Sequence, residues 1–173
     1  NERLETLITD MLEMAKLDES KPQIIKEDFD LSDEVIKSVL PFDSLAFEKG
    51  KILDCNVVPN ILYKGDRHSV KKIINILLDN AIKYSFNEGI IKVSLYKKNG
   101  KTILSVFNTG SNVPANQANK VFERFYRVDN SRSRDSGGSG LGLSIAKSIA
   151  DTNKWKIQAV SRPGEHMIIS VIF

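Results

Sequence analysis

Disulfides are out of reach for this chain. It holds one cysteine, Cys55, so no bridge can form within it, and a lone thiol suits a reducing compartment. With that cysteine and only two histidines, His68 and His166, a structural zinc site lacks ligands of its usual kind. Apolar runs are far shorter than the roughly twenty residues a membrane span needs. A strong excess of one charge is missing too. Lys and Arg number 25 against 22 Asp and Glu, a net charge of +3, and the signs are interspersed. Charge therefore gives no argument for nucleic-acid binding and describes a solvated surface. The opening residues, NERLETL, include no Met and neither the basic nor the apolar part of a secretion signal; the sequence reads as a piece of something longer.

What is present is enough for a real core. The chain has 173 residues, 41% of them hydrophobic, which fits one domain with an appendage. Leu4, Leu7, Ile8, Met11, Leu12 and Ala15 put an apolar stripe on one face of a helix over 3–17. Such a stripe packs either on its own domain or in a coiled coil or helical bundle. Pro22 in ESKPQ ends it. IIKEDFDL then reads as a strand, and Ser32 is placed to cap a helix over 32–49 that Pro41 should kink or split. KILDCNV and ILYKGD read as strands, and Asp66 as the cap of a helix over 67–85 with Val70, Ile73, Ile74, Leu77, Leu78 and Ala81 on its apolar face. Ile91, Val93 and Leu95 alternate with polar residues up to Asn99-Gly100, the pair a type I′ hairpin turn prefers, and Ile103–Phe107 form the returning strand. A short helical piece falls around Gln117–Phe122. Residues 128–139, VDNSRSRDSGGS, are nearly without apolar side chains and read as a lid-like loop. A helix over 141–152 and the strands KIQAVS and MIISVIF, joined by RPGE, complete the chain. Strands and helices mixed around a central antiparallel hairpin predict an α/β (α+β) two-layer sandwich: a mixed, mostly antiparallel sheet with helices on one face.

Four segments carry candidate chemistry: INILLDNAIKYS at 74–85, FNTGSNVP at 107–114, FERFYR at 122–127 and GGSGLGL at 137–143. In the first, Asn80, Lys83 and Tyr84 share a helix face at i, i+3 and i+4. Asn80 sits between Leu78 and Ala81, and its bland alternative is a polar side chain on an exposed face. In the last, glycines at the start of a helix allow backbone N–H groups to converge on an anion, helped by the positive potential of the helix N-terminus. A flexible turn is the alternative.

Taken together and in this order, the four segments resemble the N box, first glycine box, F box and second glycine box of the ATP-binding catalytic domain of sensor histidine kinases. That domain belongs to the wider Bergerat-fold family that includes DNA gyrase, Hsp90 and MutL. The resemblance covers about residues 27–173. It implies a division into the end of a dimerisation and phosphoacceptor helix (1–20) and a catalytic domain (21–173), the latter cytoplasmic and part of a membrane-bound sensor. It implies ATP and Mg2+ as ligands, with Asn80 binding magnesium through a hard amide oxygen, Lys83 reaching phosphate, and Tyr84 lining the nucleotide pocket. Asn108 stands where the family usually has an adenine-binding Asp; its side-chain oxygen can accept the same hydrogen bond. Gly110 would let backbone approach the base, and Asn112 replaces a second glycine at a position where a left-handed turn is expected. Val113 and Phe122 are implied as pocket residues, Phe122, Phe125 and Tyr126 as the base of the lid, and Arg127 as a phosphate ligand. Gly138, Gly140, Leu141, Gly142 and Leu143 form the implied phosphate cradle. Arg132 and Arg134 read as solvated loop charges. The implied catalytic set is Asn80, Lys83 and Arg127.

Ile76, four residues before Asn80, departs from the pattern. The family usually has a polar residue there, and in the gyrase and Hsp90 relatives a Glu that activates water. The chain therefore places no general base for efficient ATP hydrolysis, while positioning and electrostatics for phosphoryl transfer are retained. Neither His68 nor His166 is followed by the acidic residue of an acceptor motif. The resemblance thus implies phosphoryl transfer to a histidine upstream of residue 1, relay to a response regulator receiver domain, and a homodimeric parent. A nucleotide-binding regulator without catalysis and an anti-sigma-type serine kinase of the same fold are the alternatives.

Overall fold

The computed structural model describes residues 2–19, 24–127 and 139–173. In chain order the described elements are α1 (Glu2–Glu19), β1 (Glu27–Asp30), α2 (Leu31–Glu48), β2 (Ile52–Val57), β3 (Leu62–Gly65), α3 (Arg67–Tyr84), β4 (Ile90–Lys98), β5 (Lys101–Thr109), a 3-10 helix (Ala115–Phe122), α4 (Gly142–Asn153), β6 (Lys156–Arg162) and β7 (His166–Ile172). Five strands form one sheet in the order β2-β4-β5-β7-β6, and β1 pairs with β3 in a separate antiparallel ribbon. All neighbours in the large sheet run antiparallel except β2 and β4, which are parallel. The expected mixed, mostly antiparallel sheet is present, with β1 and β3 set apart from it.

The core follows from alternation. Ile91, Val93 and Leu95 of β4 are buried, and the register lines them up across the sheet in three rows. Leu95 faces Leu104, then Val171, then Ile157; Val93 faces Val106, then Ile169, then Ala159. The third row runs Ile91, Asn108, Met167, Ser161, so two polar residues enter the buried face at one end of the sheet. Ile73, Ile74, Leu77, Leu78 and Ala81 of α3 share the same core cluster. Asn99 and Gly100 have φ of 52° and 75°, the left-handed pair that a type I′ turn needs.

Two local readings change. The cap of α2 is Asp30, whose carboxylate accepts from the N–H groups of Ser32 (2.8 Å) and Asp33 (3.2 Å). Ser32 is instead buried inside a bridge, donating to the Val58 carbonyl (2.7 Å) and accepting from the Ile61 N–H (3.0 Å). Of the two outcomes expected at Pro41, the split does not occur: α2 continues through it, its inner residues Val35, Val39 and Ala46 are in the core, and packing holds what one lost hydrogen bond would loosen. Asp66 caps α3 as expected, accepting from the Ser69 N–H at 3.0 Å. Lys51 closes the other end of α3: its Nζ donates to the carbonyl and hydroxyl of Ser85, both at 2.7 Å.

The stripe on α1 divides. Leu7 turns towards the core, where Met14 from outside the stripe joins it, whereas Leu4, Ile8, Met11, Leu12 and Ala15 are exposed. A polar atom is also misplaced in α2. Among the described residues, Ser38 Oγ is the buried side-chain polar atom without a hydrogen-bond partner. A hydroxyl that gains nothing from folding still loses its water, so Ser38→Ala should leave the melting temperature unchanged or raise it by a few degrees, read by thermal denaturation.

Candidate functional site

The N-box residues lie on the last turns of α3. Asn80 and Lys83 are half-buried and Tyr84 is exposed. The Lys83 ammonium lies 5.5 Å from the centre of the Tyr84 ring. Tyr84 is 45% exposed, and the partial desolvation of its phenol raises that group above its ordinary range; the nearby Arg127 guanidinium acts in the opposite sense, and Asp79 adds to the rise. Arg127 is thus an electrostatic neighbour of Tyr84, and the fold brings FERFYR to the end of α3.

At the end of β5, Asn108 is 4% exposed, and its Nδ2 donates to the Gly110 carbonyl at 2.9 Å. That bond fixes which way the amide faces, with Oδ1 as its acceptor end. Gly110 has φ of 96°, and a Cβ there would stand 2.9 Å from the backbone nitrogen of Phe86. The Phe86 N–H donates to the Thr109 carbonyl at 3.1 Å, so this glycine lets the loop after α3 close on β5. Asn112 is not among the residues with positive φ; the left-handed turn expected there is absent, and for that reason the site accepts Asn. Val113 is buried.

The F box and second glycine box are joined through main chain. The Phe125 N–H donates to the Gly140 carbonyl at 3.0 Å. Phe125 and Gly140 both have positive φ, 61° and 75°, and a Cβ on Gly140 would lie 3.2 Å from the Phe125 Cα. A bulky residue in left-handed backbone is strained, and Phe125 is also exposed. Phe122 is buried, and the Tyr126 hydroxyl donates to Gln117 Oε1 at 3.3 Å.

Leu141 and Leu143 are buried core residues, so their side chains support the segment from beneath. The Leu141 N–H donates to Ser139 Oγ at 3.1 Å. No side chain caps α4, and its first turn has no acidic residue, which leaves the positive end of the helix for an anion. Ile76 reaches this point: its Cγ2 is 3.8 Å from where a Cβ of Gly142 would stand. The position that is usually polar in the family is therefore an apolar support under the first residue of α4. Gly138, Arg132 and Arg134 lie outside the described residues.

These distances separate the glycines. Gly110→Ala must fit a side chain into left-handed backbone against Phe86 main chain, so it should lower the melting temperature markedly. Gly142→Ala meets Ile76 at ordinary contact distance and should leave it within a few degrees. Thermal denaturation of both variants checks the contrast.

Among the described residues, no three His, Cys, Asp or Glu side chains converge on a metal-sized space. The Asn80 amide oxygen is a suitable hard ligand, so a magnesium ion here would rely on phosphate and water for most of its shell. His68 is exposed, and His166 stacks on Phe107 with ring centres 5.3 Å apart.

Several partners were invisible in the sequence. The Ser139 hydroxyl donates to the Asp10 carboxylate on α1, tying the second glycine box to the N-terminal helix. Ser111, Ser161 and Lys51 also hold the site's loops. Hydroxyls paired across long stretches of chain leave no periodicity or spacing to find.

Comparison with known proteins agrees with this geometry. The family model described as histidine kinase-, DNA gyrase B- and HSP90-like ATPase matches residues 65–173. The chain is 44% identical over 114 residues to the sensor histidine kinase YkoH of Bacillus subtilis, covering 66% of this chain and 25% of that protein. It is 35% identical over 157 residues to the sensor protein DltS of Streptococcus agalactiae, covering 91% of this chain and 40% of that one. The chain thus spans a quarter to two-fifths of these relatives. The crystal structure of histidine kinase ThkA in complex with response regulator protein TrrA has the same fold, with a TM-score of 0.76 at 22% identity, covering 99% of this chain and 47% of that one. No described helix is long and apolar enough to cross a membrane. With that family model matching well over half of its length and sensor relatives 44% and 35% identical to it, the chain belongs to the histidine kinase-, DNA gyrase B- and HSP90-like ATPase family.

Proposed function

We propose that this chain is the ATP-binding catalytic part of a two-component sensor histidine kinase. It transfers the γ-phosphoryl group of ATP to a histidine outside these residues, for relay to a response regulator receiver domain. The observation that carries the reading is the junction of α3 and the F box, where the Lys83 ammonium lies over the Tyr84 ring and the Arg127 guanidinium is near enough to act on its phenol. Two cations held there can position a triphosphate and offset charge developing in transfer. Asn108 accepts from the adenine amino group through Oδ1. Gly110 and Val113 shape the base end, and Phe122, Leu141 and Leu143 support the pocket from the core. Gly138, Gly140 and Gly142 offer backbone to the phosphates. Magnesium on Asn80 would screen the phosphate charge and hold its geometry. Ile76 supplies no base for water, which favours transfer to a protein acceptor over hydrolysis.

The exposed half of the α1 stripe supports the division at residue 20: Leu4, Ile8, Met11 and Leu12 suit a partner helix of a dimerisation bundle in a homodimeric, membrane-anchored sensor. The sensor-kinase relatives speak against an anti-sigma-type serine kinase, and a regulator without catalysis has only Ile76 in its favour.

Calorimetry with a non-hydrolysable ATP analogue tests the reading. Binding that strengthens with magnesium is expected; no binding at millimolar nucleotide would overturn it. Radiolabelled ATP supplied to the full-length protein tests transfer, and a protein that binds but never labels would be the regulator instead.

A further inference from the structure

Two buried serines close a ring of hydrogen bonds around Val113. The Val113 N–H donates to Ser111 Oγ at 3.3 Å, and Ser161 Oγ donates to the Val113 carbonyl at 2.8 Å. The two hydroxyl oxygens are themselves in short contact. A hydroxyl has one proton. Ser161 spends its proton on Val113, so Ser111 must be the donor between the serines, and the ring runs in one direction. Ser111 is 8% exposed and Ser161 5%, so neither has water as a substitute. Two main-chain bonds extend the fastening to the β6–β7 turn. The Gly164 N–H donates to the Ser111 carbonyl and the Gly110 N–H to the Glu165 carbonyl, both at 2.7 Å.

The ring sits where it can matter. Ser161 and Asn108 occupy the same cross-strand row, separated by Met167. One end of the loop 110–113 is the glycine whose carbonyl orients the Asn108 amide. The other end is Val113. The carbonyl of Gly110 and the side chain of Val113 can hold fixed places only if this loop holds one conformation.

We propose that Ser161, acting through Ser111 and Val113, is a positioning residue that pre-organises the base-binding loop and sets adenine selectivity. This rests on the nucleotide-binding reading above and names a residue outside its four boxes. The direction of the ring predicts an order of severity. Ser161→Ala strands two buried groups, the Val113 carbonyl and the Ser111 hydroxyl. Ser111→Ala strands the Val113 N–H, which makes the longest bond of the three, and leaves the Ser161 bond to the carbonyl intact. A loop that must be ordered on binding weakens affinity by the fraction of time it is misplaced.

The experiment is nucleotide titration calorimetry on wild type, Ser161→Ala, Ser161→Thr and Ser111→Ala, using ADP and GDP, with amide hydrogen exchange on the same samples. Ser161→Ala should bind ADP about tenfold more weakly, with a smaller change for GDP, and exchange should quicken at residues 110–113. Ser111→Ala should lie between it and wild type, and Ser161→Thr, which keeps the hydroxyl, should restore most of the affinity. Merely structural damage would lower both affinities together and would not spare the loop's neighbours in exchange; that result overturns the proposal, as does unchanged ADP affinity in Ser161→Ala. If Ser161→Ala does not fold, Ser111→Ala carries the same test of selectivity and exchange. Wild type that binds neither nucleotide refutes the nucleotide-binding reading itself, a result distinct from binding that the serines do not influence.

Discussion

Asn80→Ala should reduce histidine phosphorylation by about a hundredfold or more while the protein keeps its fold. Removing one preorganised group that acts on developing charge has costs of that order. The position explains why the loss should be selective. Asn80 is half-buried on the last turns of α3, and its neighbours Leu78, Ala81 and Ile82 carry the packing. Alanine is the best helix former, so the melting temperature should hold or rise slightly. The measurement is transfer from radiolabelled ATP in the full-length protein, with nucleotide affinity measured with and without magnesium. The variant should lose the strengthening that magnesium gives. A variant that labels at the wild-type rate would remove Asn80 from the site. Ile76→Asn asks the complementary question. Ile76 supports the first residue of α4, so a polar replacement should lower stability modestly whatever it does to the rate of transfer.

Trp155→Ala should cost about 3–5 kcal/mol of folding stability, the usual range for emptying a large aromatic site. Trp155 is 6% exposed, and its indole N–H donates to the Tyr63 hydroxyl at 2.6 Å. The Tyr63 ring also meets Phe29 at 5.9 Å and Phe173 at 5.1 Å, and Trp155 meets Phe173 at 4.9 Å. Phe29 and Tyr63 belong to the β1–β3 ribbon, whereas Trp155 and Phe173 flank β6 and β7. The cluster is therefore a seam between the two sheets. Trp155→Phe keeps an aromatic body but removes the indole N–H from which the Tyr63 hydroxyl accepts, and should lose less than Trp155→Ala. Chemical denaturation of both variants measures the difference; equal losses would show that the hydrogen bond, and not the packing, holds the seam.

The sequence disclosed those parts of the fold whose causes are local. Alternation in Ile91, Val93 and Leu95 and the Asn99-Gly100 pair predicted the β4–β5 hairpin, because strand periodicity and turn conformation are written within a few residues. The apolar face of α3 and its Asp66 cap were legible for the same reason. The α2 cap was not: Ser32 and Asp30 are both good capping residues, and the choice was settled by Val58 and Ile61, which draw the Ser32 hydroxyl into a bridge. The separation of β1 and β3 from the large sheet was equally hidden, since it depends on where Tyr63 finds aromatic partners. In the candidate site, the four segments were singled out through a family resemblance. What fastens them together, the Ser139 contact with Asp10 and the serine ring at Val113, was not found, because single hydroxyls carry no pattern of their own.

Lys51 gives the sheet's margin an unexpected reach. It immediately precedes β2, an outermost strand attached by its parallel pairing to β4, and its ammonium closes the end of α3 at Ser85. Outer strands fray at lower cost than inner ones. When β2 frays, Lys51 leaves with it, and the helix end that bears Lys83 and Tyr84 loses its terminal clasp. Breathing at one border of the sheet is thereby transmitted, through a single lysine, to the turn of helix that carries Lys83 and Tyr84.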